Sequence, residues 1–444
     1  MGGNIVLIWQ QKQVDINYGV NEVVVASERI SSLSISSLEQ FLNRNGIDPR
    51  QIENVILVRD LTEIIPQELK SNKSFGYLRV TPTPLEFMPV ASLMQKSNVK
   101  IHTFHLPLPI KSDFDVRLRK TLETLTTLSI KEVAVNSTFS LIDNSSAPRV
   151  IEKIEQFCPG QFSCYFSDIF NTANFLLREN NLLINLLLRQ TVKALLEKID
   201  RSLNEVGIFA PIYLLKGDGT LASSKMAEIN PLATWRAKEA IYLISGSHWQ
   251  KNKDTIVIFE QDQSIKMGVT EDYLPRIPEG VNKFQDIELP GRYPLTITIE
   301  NTSNRKKWEE AIELLNPFPG PVTLVNFSKT LDASPVFSYP IANAPNEPHV
   351  LASGVLTAPF RWETQKMIVA NSVEEIDSVK QTLLDAALNT LDKQGVRLRK
   401  INYSFENNPL KYLPKNRVLL KLIIWGNPIL TDQNTEPYCI YYIK

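Results

Sequence analysis

The residues best suited to chemistry lie near the middle of the chain, in the segment KGDGT at Lys216–Thr220. This segment follows the apolar run APIYLL, which predicts a buried strand that ends in a tight polar loop. Such loops present backbone amides or a carboxylate to a ligand. Asp218 and Thr220 are therefore candidate catalytic residues, and Gly217 and Gly219 are candidate cofactor-binding positions. The alternative is a strand-ending turn, in which the glycines supply positive φ angles and Asp218 caps its own backbone.

The four histidines do not form a recognisable metal site. His102 and His105 stand three residues apart in one predicted strand, and this odd step places them on opposite faces. His248 and His349 have no partners at metal-binding spacing. The sequence also lacks a G-x-S-x-G segment, a cysteine near a histidine, and any Walker or dinucleotide-binding glycine fingerprint. We therefore predict no metal and no standard nucleophile.

Charge and composition indicate an ordinary globular protein. The 444 residues include 48 basic and 48 acidic side chains, so neither nucleic acid nor an anionic membrane is an expected partner. The amino terminus lacks a secretory pattern, and Arg189 and Lys193 interrupt the most apolar segment, which is too short to span a bilayer. The scattered cysteines Cys158, Cys164 and Cys439 favour a reducing compartment. We predict a cytoplasmic location.

Short β-rich runs alternate with helix-length segments over residues 1–165. NIVLIW (4–9) and EVVVAS (22–27) are predicted to be adjacent strands. Further strands are predicted at 53–58, 100–110, 131–140 and 161–166, and helices at 36–46, 113–128 and 147–157. This alternation is typical of an α/β architecture with a mainly parallel sheet.

A helical pattern then runs from Asn171 to about Val206, with apolar residues every three to four positions, and Gly207 ends it. A second alternating set follows, with strands at 210–216, 254–261 and 321–327 and helices at 234–245 and 306–316. The last segment combines one long helix with a β-rich tail. We predict an α/β domain at 1–168, a second α/β domain at 169–352 that begins with the long helix, and an α+β segment at 353–444.

The order of several segments resembles the hydantoinase/oxoprolinase family, the A-type subunit of ATP-dependent cyclic-amide hydrolases. The similar segments are NGIDPRQIENVIL (45–57), AVNSTFSLID (134–143), LLKGDGTLAS (214–223) with the following Pro231, GPVTLVNFSK (320–329), and the C-terminal block with PLKYLPKN at Pro409–Asn416. They extend over essentially the whole chain. Each motif alone is moderately specific, so their collinear order carries the resemblance.

The resemblance implies the duplicated fold of the actin, hexokinase and Hsp70 class, in which two α/β domains flank a nucleotide cleft. Members of the family couple hydrolysis of ATP to the opening of hydantoins or 5-oxoproline. They use ATP with a metal such as Mg²⁺, and they usually work with a B-type partner subunit. A homologous or B-type subunit is accordingly the partner that the resemblance implies here.

This sequence departs from the family at both phosphate loops. The resemblance assigns Gly2 and Gly3 as the remnant of the first loop, D-x-G-G-T-x-T-D after a strand, and on this assignment the strand and aspartate before it are missing. The second loop is replaced by FEQDQSIKMG, which places Asp262 and Ser264 at the cleft positions. Side chains where glycines belong block a close approach of the backbone to phosphate, and carboxylates repel it.

The two remaining nucleotide segments also differ. The family's S-G-P turn after Pro231 is deleted, and its glycine-rich adenosine turn reads NFSK here, with Asn326 and Ser328 at the cleft. Since all the loops that would touch ATP are altered together, we predict that ATP is not bound. The protein is then a pseudoenzyme, or a regulatory or scaffold subunit.

Two alternatives stay open. The chain is a divergent hydrolase of a cyclic amide, with Asp218 and Thr220 as the first residues to examine, or it binds a small molecule in the interdomain cleft.

Overall fold

The computed structural model describes residues 2–10, 13–83, 97–110, 112–138, 140–142, 145–170, 172–280, 282–284, 287–299, 305–316, 323–328, 341–345, 347–370, 372–396, 398, 400–410, 416–428 and 440–442. Lys329, Cys439 and residues 411–415 of the C-terminal motif lie outside the described residues.

The strands are β1 (Gly3–Gln10), β2 (Gln13–Val20), β3 (Val23–Ile30), β4 (Ile52–Val58), β5 (Ser74–Thr81), β6 (Lys100–Pro107), β7 (Glu132–Ser137), β8 (Ser163–Phe166), β9 (Ile212–Leu215), β10 (Leu221–Ser223), β11 (Ile256–Gln261), β12 (Ser264–Glu271), β13 (Leu274–Pro275), β14 (Asn282–Phe284), β15 (Ile287–Leu289), β16 (Thr296–Ile299), β17 (Leu324–Asn326), β18 (Ile341–Asn343), β19 (Phe360–Val369), β20 (Ile401–Pro409), β21 (Arg417–Gly426) and β22 (Ile440–Tyr442). The α-helices are α1 (Ile35–Arg44), α2 (Ile65–Glu68), α3 (Ser112–Thr127), α4 (Ser146–Phe157), α5 (Phe175–Glu205), α6 (Ser224–Ile229), α7 (Ala237–Gln250), α8 (Arg305–Leu315), α9 (Pro348–Leu356) and α10 (Val373–Lys393).

The largest sheet has the strand order β22-β20-β21-β19-β10-β9-β4-β1-β2-β3. β1, β2 and β3 form an antiparallel meander, β4 runs parallel to β1, and β9 runs parallel to β4. β10 turns back against β9, and β19 runs parallel to β10. This sheet therefore combines strands from all three segments predicted from the sequence.

The prediction that residues 4–9 and 22–27 are adjacent strands is wrong, because β2 lies between β1 and β3. The apolar pattern of β2 is interrupted by Asp15 and Asn17, which are both fully buried. Arg29 Nε of β3 lies 2.6 Å from Asp15 Oδ1, and Ser27 Oγ donates to Asn17 Oδ1 at 2.8 Å. Cross-strand partners thus allow polar side chains inside this strand.

Both faces of the central strands of the large sheet are covered, because alternate side chains of these strands enter different cores. Ile5 and Leu7 of β1 pack into the core that contains α1 and α5. Val6 and Ile8 pack into a second core with α7 and α9, and Val257 of β11 belongs to the same core. The large sheet is thereby joined to the second sheet through shared apolar packing.

The second sheet has the order β13-β12-β11-β17-β18, and β16 also pairs with β12. β12 is antiparallel to β11 and to β16, whereas β17 is parallel to β11 and β18 is parallel to β17. The five strands β16-β12-β11-β17-β18 therefore repeat the order and directions of β3-β2-β1-β4-β9 in the large sheet. The same pairing pattern occurs twice in the chain.

A third sheet is parallel throughout, with the order β6-β5-β7-β8. α3 and α4 cover one face through Phe114, Leu118 and Val150. The strands and helices of this unit all fall between residues 74 and 166.

The long helix predicted from 171 to 206 is confirmed as α5, which Asn174 caps by accepting hydrogen bonds from the Leu176 and Leu177 amides. A buried ion pair joins α5 to the four-stranded sheet, because Arg79 Nε and Nη2 each lie 2.8 Å from the Glu179 carboxylate. The Tyr77 hydroxyl also donates to Glu179, and all three residues are at most 1% exposed. Within the described parts of the chain, no helix has both the length and the apolar character needed to cross a bilayer.

Candidate functional site at the carboxyl edge of the large sheet

The KGDGT segment forms the loop between β9 and β10, as the sequence predicts. Because β1, β4 and β9 point in one direction, their carboxyl ends meet at one edge of the sheet. Lys216 therefore lies at the same edge as Gln10 and as the pair Arg59 and Asp60, which directly follows β4. Open α/β sheets commonly bind ligands at such an edge.

Asp218 and Thr220 are held mainly by each other. Asp218 Oδ1 accepts hydrogen bonds from the Thr220 amide at 3.1 Å and from its hydroxyl at 2.6 Å. The Lys216 amide closes the turn by donating to the Thr220 carbonyl at 2.8 Å. Asp218 is 3% exposed and Thr220 is 1% exposed, so the loop is part of the interior.

Cations surround the Asp218 carboxylate. Lys216 Nζ lies 3.5 Å and Arg292 Nε 3.4 Å from Asp218 Oδ2, and Lys216 Nζ donates to the Arg361 carbonyl at 3.1 Å. Burial pushes the pKa of Asp218 upward, but the charges of Lys216 and Arg292 outweigh it and hold this pKa below its usual value. Burial also lowers the pKa of Lys216. Asp218 is therefore an ionised carboxylate in a buried cationic setting.

The two glycines of the loop are required by close packing. A Cβ atom on Gly217 would lie 2.1 Å from the carbonyl oxygen of Trp235. Gly219 has a φ of +77°, and a Cβ atom there would lie 2.4 Å from Pro275. The loop is thereby pressed against the segment that leads into α7.

Two carboxylates of the protein lie near the positive end of the α7 helix dipole. Arg236, in the left-handed region with a φ of 63°, precedes the helix, and its amide donates to Asp60 Oδ2 at 3.0 Å. Glu239, in the first turn, accepts hydrogen bonds from Lys266 Nζ at 2.6 Å and from the Thr296 hydroxyl at 2.7 Å. Carboxylates are favoured here by the positive end of the helix dipole.

Asp60 has the most perturbed carboxyl group of the site. Its Oδ1 accepts hydrogen bonds from the Thr62 amide at 2.9 Å and from the Thr62 hydroxyl at 2.6 Å. Burial nevertheless raises its pKa to about 6. Burial likewise raises the pKa of the neighbouring Tyr293, and the negative charge of Asp60 raises it further. Asp60 therefore changes its charge within a physiologically relevant range.

The elevated pKa of Asp60 predicts a pH-dependent stability. Since its pKa rises from 3.8 to about 6 on folding, the folded state binds the proton more tightly and loses stability as the pH rises from 4 to 6. The loss is about 3 kcal/mol for a shift of this size. Part of this loss has already occurred at pH 4, since the unfolded carboxyl group titrates near 3.8. We therefore expect the free energy of unfolding of the wild type, minus that of Asp60→Asn, to fall by about 2.4 kcal/mol between pH 4 and 7 in urea titrations. A difference that stays constant with pH would contradict this assignment.

The second sheet brings its predicted residues together at the corresponding edge. Asp262 and Gln263 form a two-residue hairpin turn with φ values of 51° and 62°, the pattern of a type I′ turn. Ser264 begins β12 directly after this turn. Asn326 ends β17, and its Oδ1 accepts a hydrogen bond from the Ser328 amide at 2.9 Å. The turn of this hairpin thus has two residues, and neither is a glycine.

Aromatic and acidic side chains lie beside this edge. Tyr242 of α7 stacks on Phe259 with ring centroids 4.9 Å apart, and it contacts Phe327 edge-to-face at 5.6 Å. Ser328 Oγ donates to Glu260 Oε2 at 3.4 Å. Phe259 and Glu260 in the last part of β11 and Phe327 after β17 thus place bulky and acidic side chains at this edge.

Gly2 and Gly3 lie far from the predicted cleft. β1 begins at Gly3 and ends at Gln10, so the two glycines lie at its amino end, roughly 23 Å from the carboxyl edge at the usual rise of a strand. The assignment of these glycines to the first phosphate loop is therefore wrong. In the repeated strand pattern, the β1–β2 hairpin with Gln10 opposite Gln13 is the counterpart of the β11–β12 hairpin.

The histidines occupy separate places. His248 Nε2 lies 2.7 Å from the Thr357 hydroxyl, and burial lowers the pKa of this histidine. His349 lies 3.2 Å from Glu347. In the part of the chain that the structure describes, no group of three histidine, cysteine or acidic side chains could hold a metal ion.

Sequence reasoning missed the residues around α7. Asp60 carries a local signal, because an aspartate two residues before Thr62 directly follows a buried strand and is typical of a cap. No local sequence signal marks Glu239, Lys266 or Arg292, because only the tertiary fold brings these residues to this edge.

No protein-family model matches the chain, and a comparison with characterised proteins finds no match. Among solved structures, the chain is similar to the ATP-dependent caprolactamase from Pseudomonas jessenii, with a TM-score of 0.65 and 11% identity over 98% of this chain and 90% of that one. It is also similar to a nucleotide-free structure of acetone carboxylase, with a TM-score of 0.61 and 11% identity over 98% of this chain and 89% of that one. The chain thus has a mixed α/β fold similar to the folds of these two enzymes. The similarity supports the α/β architecture predicted from the sequence.

Proposed function

We propose that this chain is a hydantoinase/oxoprolinase-like pseudoenzyme, which serves as a regulatory or scaffold subunit and has lost the nucleotide site. The repeated five-strand pattern supports two copies of an actin-like unit. In such a fold, ATP would lie between the hairpins and loops at the carboxyl edges of the two sheets.

The start of α7 is the observation that carries this proposal. A free helix N-terminus offers amides and a positive dipole to a phosphate group. Here Asp60 accepts the hydrogen bond of the Arg236 amide, and the buried Glu239 is paired with Lys266. A nucleotide phosphate at the start of α7 would have to compete with the Asp60 carboxylate for the Arg236 amide, and Lys266 is already paired with Glu239.

Titration with nucleotide tests the proposal. We expect neither ATP nor ADP, each with Mg²⁺, to bind in calorimetry or to raise the melting temperature at 1 mM, about the weakest useful affinity. Tripolyphosphate is the matched control, because attraction to the cations near Asp218 would act on it equally. Micromolar affinity for ATP that tripolyphosphate does not share would overturn the pseudoenzyme assignment.

We further propose a homologous or B-type protein as the partner of this subunit. Isolation from the native source under mild conditions should then yield a complex in which a second chain is present in fixed proportion. A chain that elutes alone as a monomer under those conditions would argue against a scaffold role.

A second candidate function is ATP-dependent opening of a cyclic amide. It is favoured by the fold similarity to a caprolactamase, whose name states that activity. Turnover of caprolactam, hydantoin or 5-oxoproline that is lost in Asp218→Asn, with the variant still folded by circular dichroism, would establish it. If none of the three compounds is turned over, with or without ATP, they are excluded as substrates of the isolated chain.

A further inference from the structure

A cavity of about 180 Å³ lies between β8, α5 and the end of α6, apart from the site described above. Most of its wall is apolar and is formed by Phe166, Ile169, Phe170, Leu186 and Ile229. A dry cavity of about 150 Å³ is known to hold a benzene molecule. The space therefore suits an apolar group of six to eight heavy atoms, on the same scale.

The uncharged polar groups of the wall are already engaged. Asn185 Nδ2 donates to Asn230 Oδ1 at 3.0 Å, and Asn185 Oδ1 accepts from the Leu232 amide at 3.0 Å. Burial raises the pKa of the Cys164 thiol to about 12, which keeps it neutral. These groups supply no charge to a bound molecule.

Arg189 is the charged residue in the lining. Its guanidinium carbon lies 4.3 Å from the centre of the Tyr165 ring, and its side chain is 25% exposed. Glu228 Oε1 lies 3.8 Å from Arg189 Nη2, which is longer than a hydrogen bond. Within the described ranges, Arg189 makes no side-chain hydrogen bond, so its planar fork can receive a carboxylate.

We propose that this cavity binds a small monocarboxylate, with its apolar body inside the wall and its carboxylate on Arg189. Arg189 already forms an ion pair with Glu228, so the ligand's carboxylate would compete with Glu228 for the guanidinium. Glu228 and Glu132, whose Oε1 lies 3.4 Å from the Tyr165 hydroxyl, would repel a polyanion. The ligand would touch β8, α5 and Ile229 at once and would join the four-stranded sheet to the rest of the molecule.

Phenylacetate and phenylacetamide test the charge requirement on the full-length chain, because they share a shape and differ in charge. We expect phenylacetate to bind at least tenfold more tightly in calorimetry. It should shift the methyl resonances of Ile169 and Ile229, whereas Ile258 in the core of the second sheet serves as the internal control. Equal affinity of the two compounds, or shifts elsewhere only, would overturn the proposal.

Four variants test the position. Arg189→Met should weaken phenylacetate binding at least tenfold, whereas Arg201→Met, on an exposed part of the same helix, should leave it unchanged. Glu228→Gln should tighten binding, since it removes a competing carboxylate. Ile169→Trp should abolish binding by filling the entrance, and its partial exposure of 40% makes the change tolerable for folding. Unchanged affinity in Arg189→Met or in Ile169→Trp would refute the site.

Discussion

Replacement of Glu179 by Gln is expected to lower the free energy of unfolding by about 3–5 kcal/mol. Arg79 and Glu179 are each 1% exposed, and two contacts of 2.8 Å join them. The neutral amide would leave the guanidinium in the interior without its counter-charge, and the desolvation of that charge is not recovered elsewhere. Tyr77 would also lose its carboxylate acceptor. Urea unfolding followed by circular dichroism measures the change.

Two further variants separate the effect of the pair from the effect of the position. The double variant Arg79→Met with Glu179→Met should be much closer to the wild type than either single change, since no unpaired charge stays behind. Glu197→Gln breaks a solvent-exposed pair with Lys193 on the same helix and should cost less than about 1 kcal/mol. A loss in Glu179→Gln as small as that in Glu197→Gln would show that the buried pair does not hold α5 in place.

Replacement of Gly217 by Ala is expected to lower stability by about 3 kcal/mol. The added Cβ would lie 2.1 Å from the carbonyl oxygen of Trp235, which is a backbone atom and cannot rotate away. Relief would require the loop or the start of α7 to move. A drop in melting temperature of several degrees is the corresponding observation.

Gly46→Ala is the matched control for this prediction. Gly46 has a φ of +61° with no atom within 4 Å of an added Cβ, so the variant bears only the conformational cost of about 1 kcal/mol. If Gly217→Ala is as mild as Gly46→Ala, the loop is not fixed by packing, and the interpretation of KGDGT as a ligand-binding loop gains weight.

The regular elements follow from local patterns, and much of the fold was therefore predictable. The apolar repeat that predicts α5 lies within one continuous segment of the sequence, and Asn174, which caps the helix, directly precedes it. β2 was missed because Asp15 and Asn17 are stabilised by Arg29 and Ser27 on the next strand, contacts that only the folded sheet creates. The sequence order alone could not place a strand between β1 and β3.

Only those parts of the candidate site that are formed by neighbouring residues in the sequence were predictable. The turn from Lys216 to Thr220 was visible in the sequence, but its burial was not, because Arg292 and Trp235 reach it from distant segments. The contact between Asp60 and Arg236 joins residues 176 positions apart. The misplacement of Gly2 and Gly3 has a related cause, since a glycine pair does not reveal at which end of a strand it lies.

The strand order of the large sheet also constrains the sequence of events during synthesis. β4 acquires its neighbour β9 only after residue 212 has been made, and β10 must wait for β19, which starts at residue 360. The parallel unit at 74–166 needs nothing from the later chain to pair its own strands. It can therefore form on the ribosome while the central strands still expose unpaired edges, and these edges stay open to pairing with other chains until the last fifth of the chain emerges.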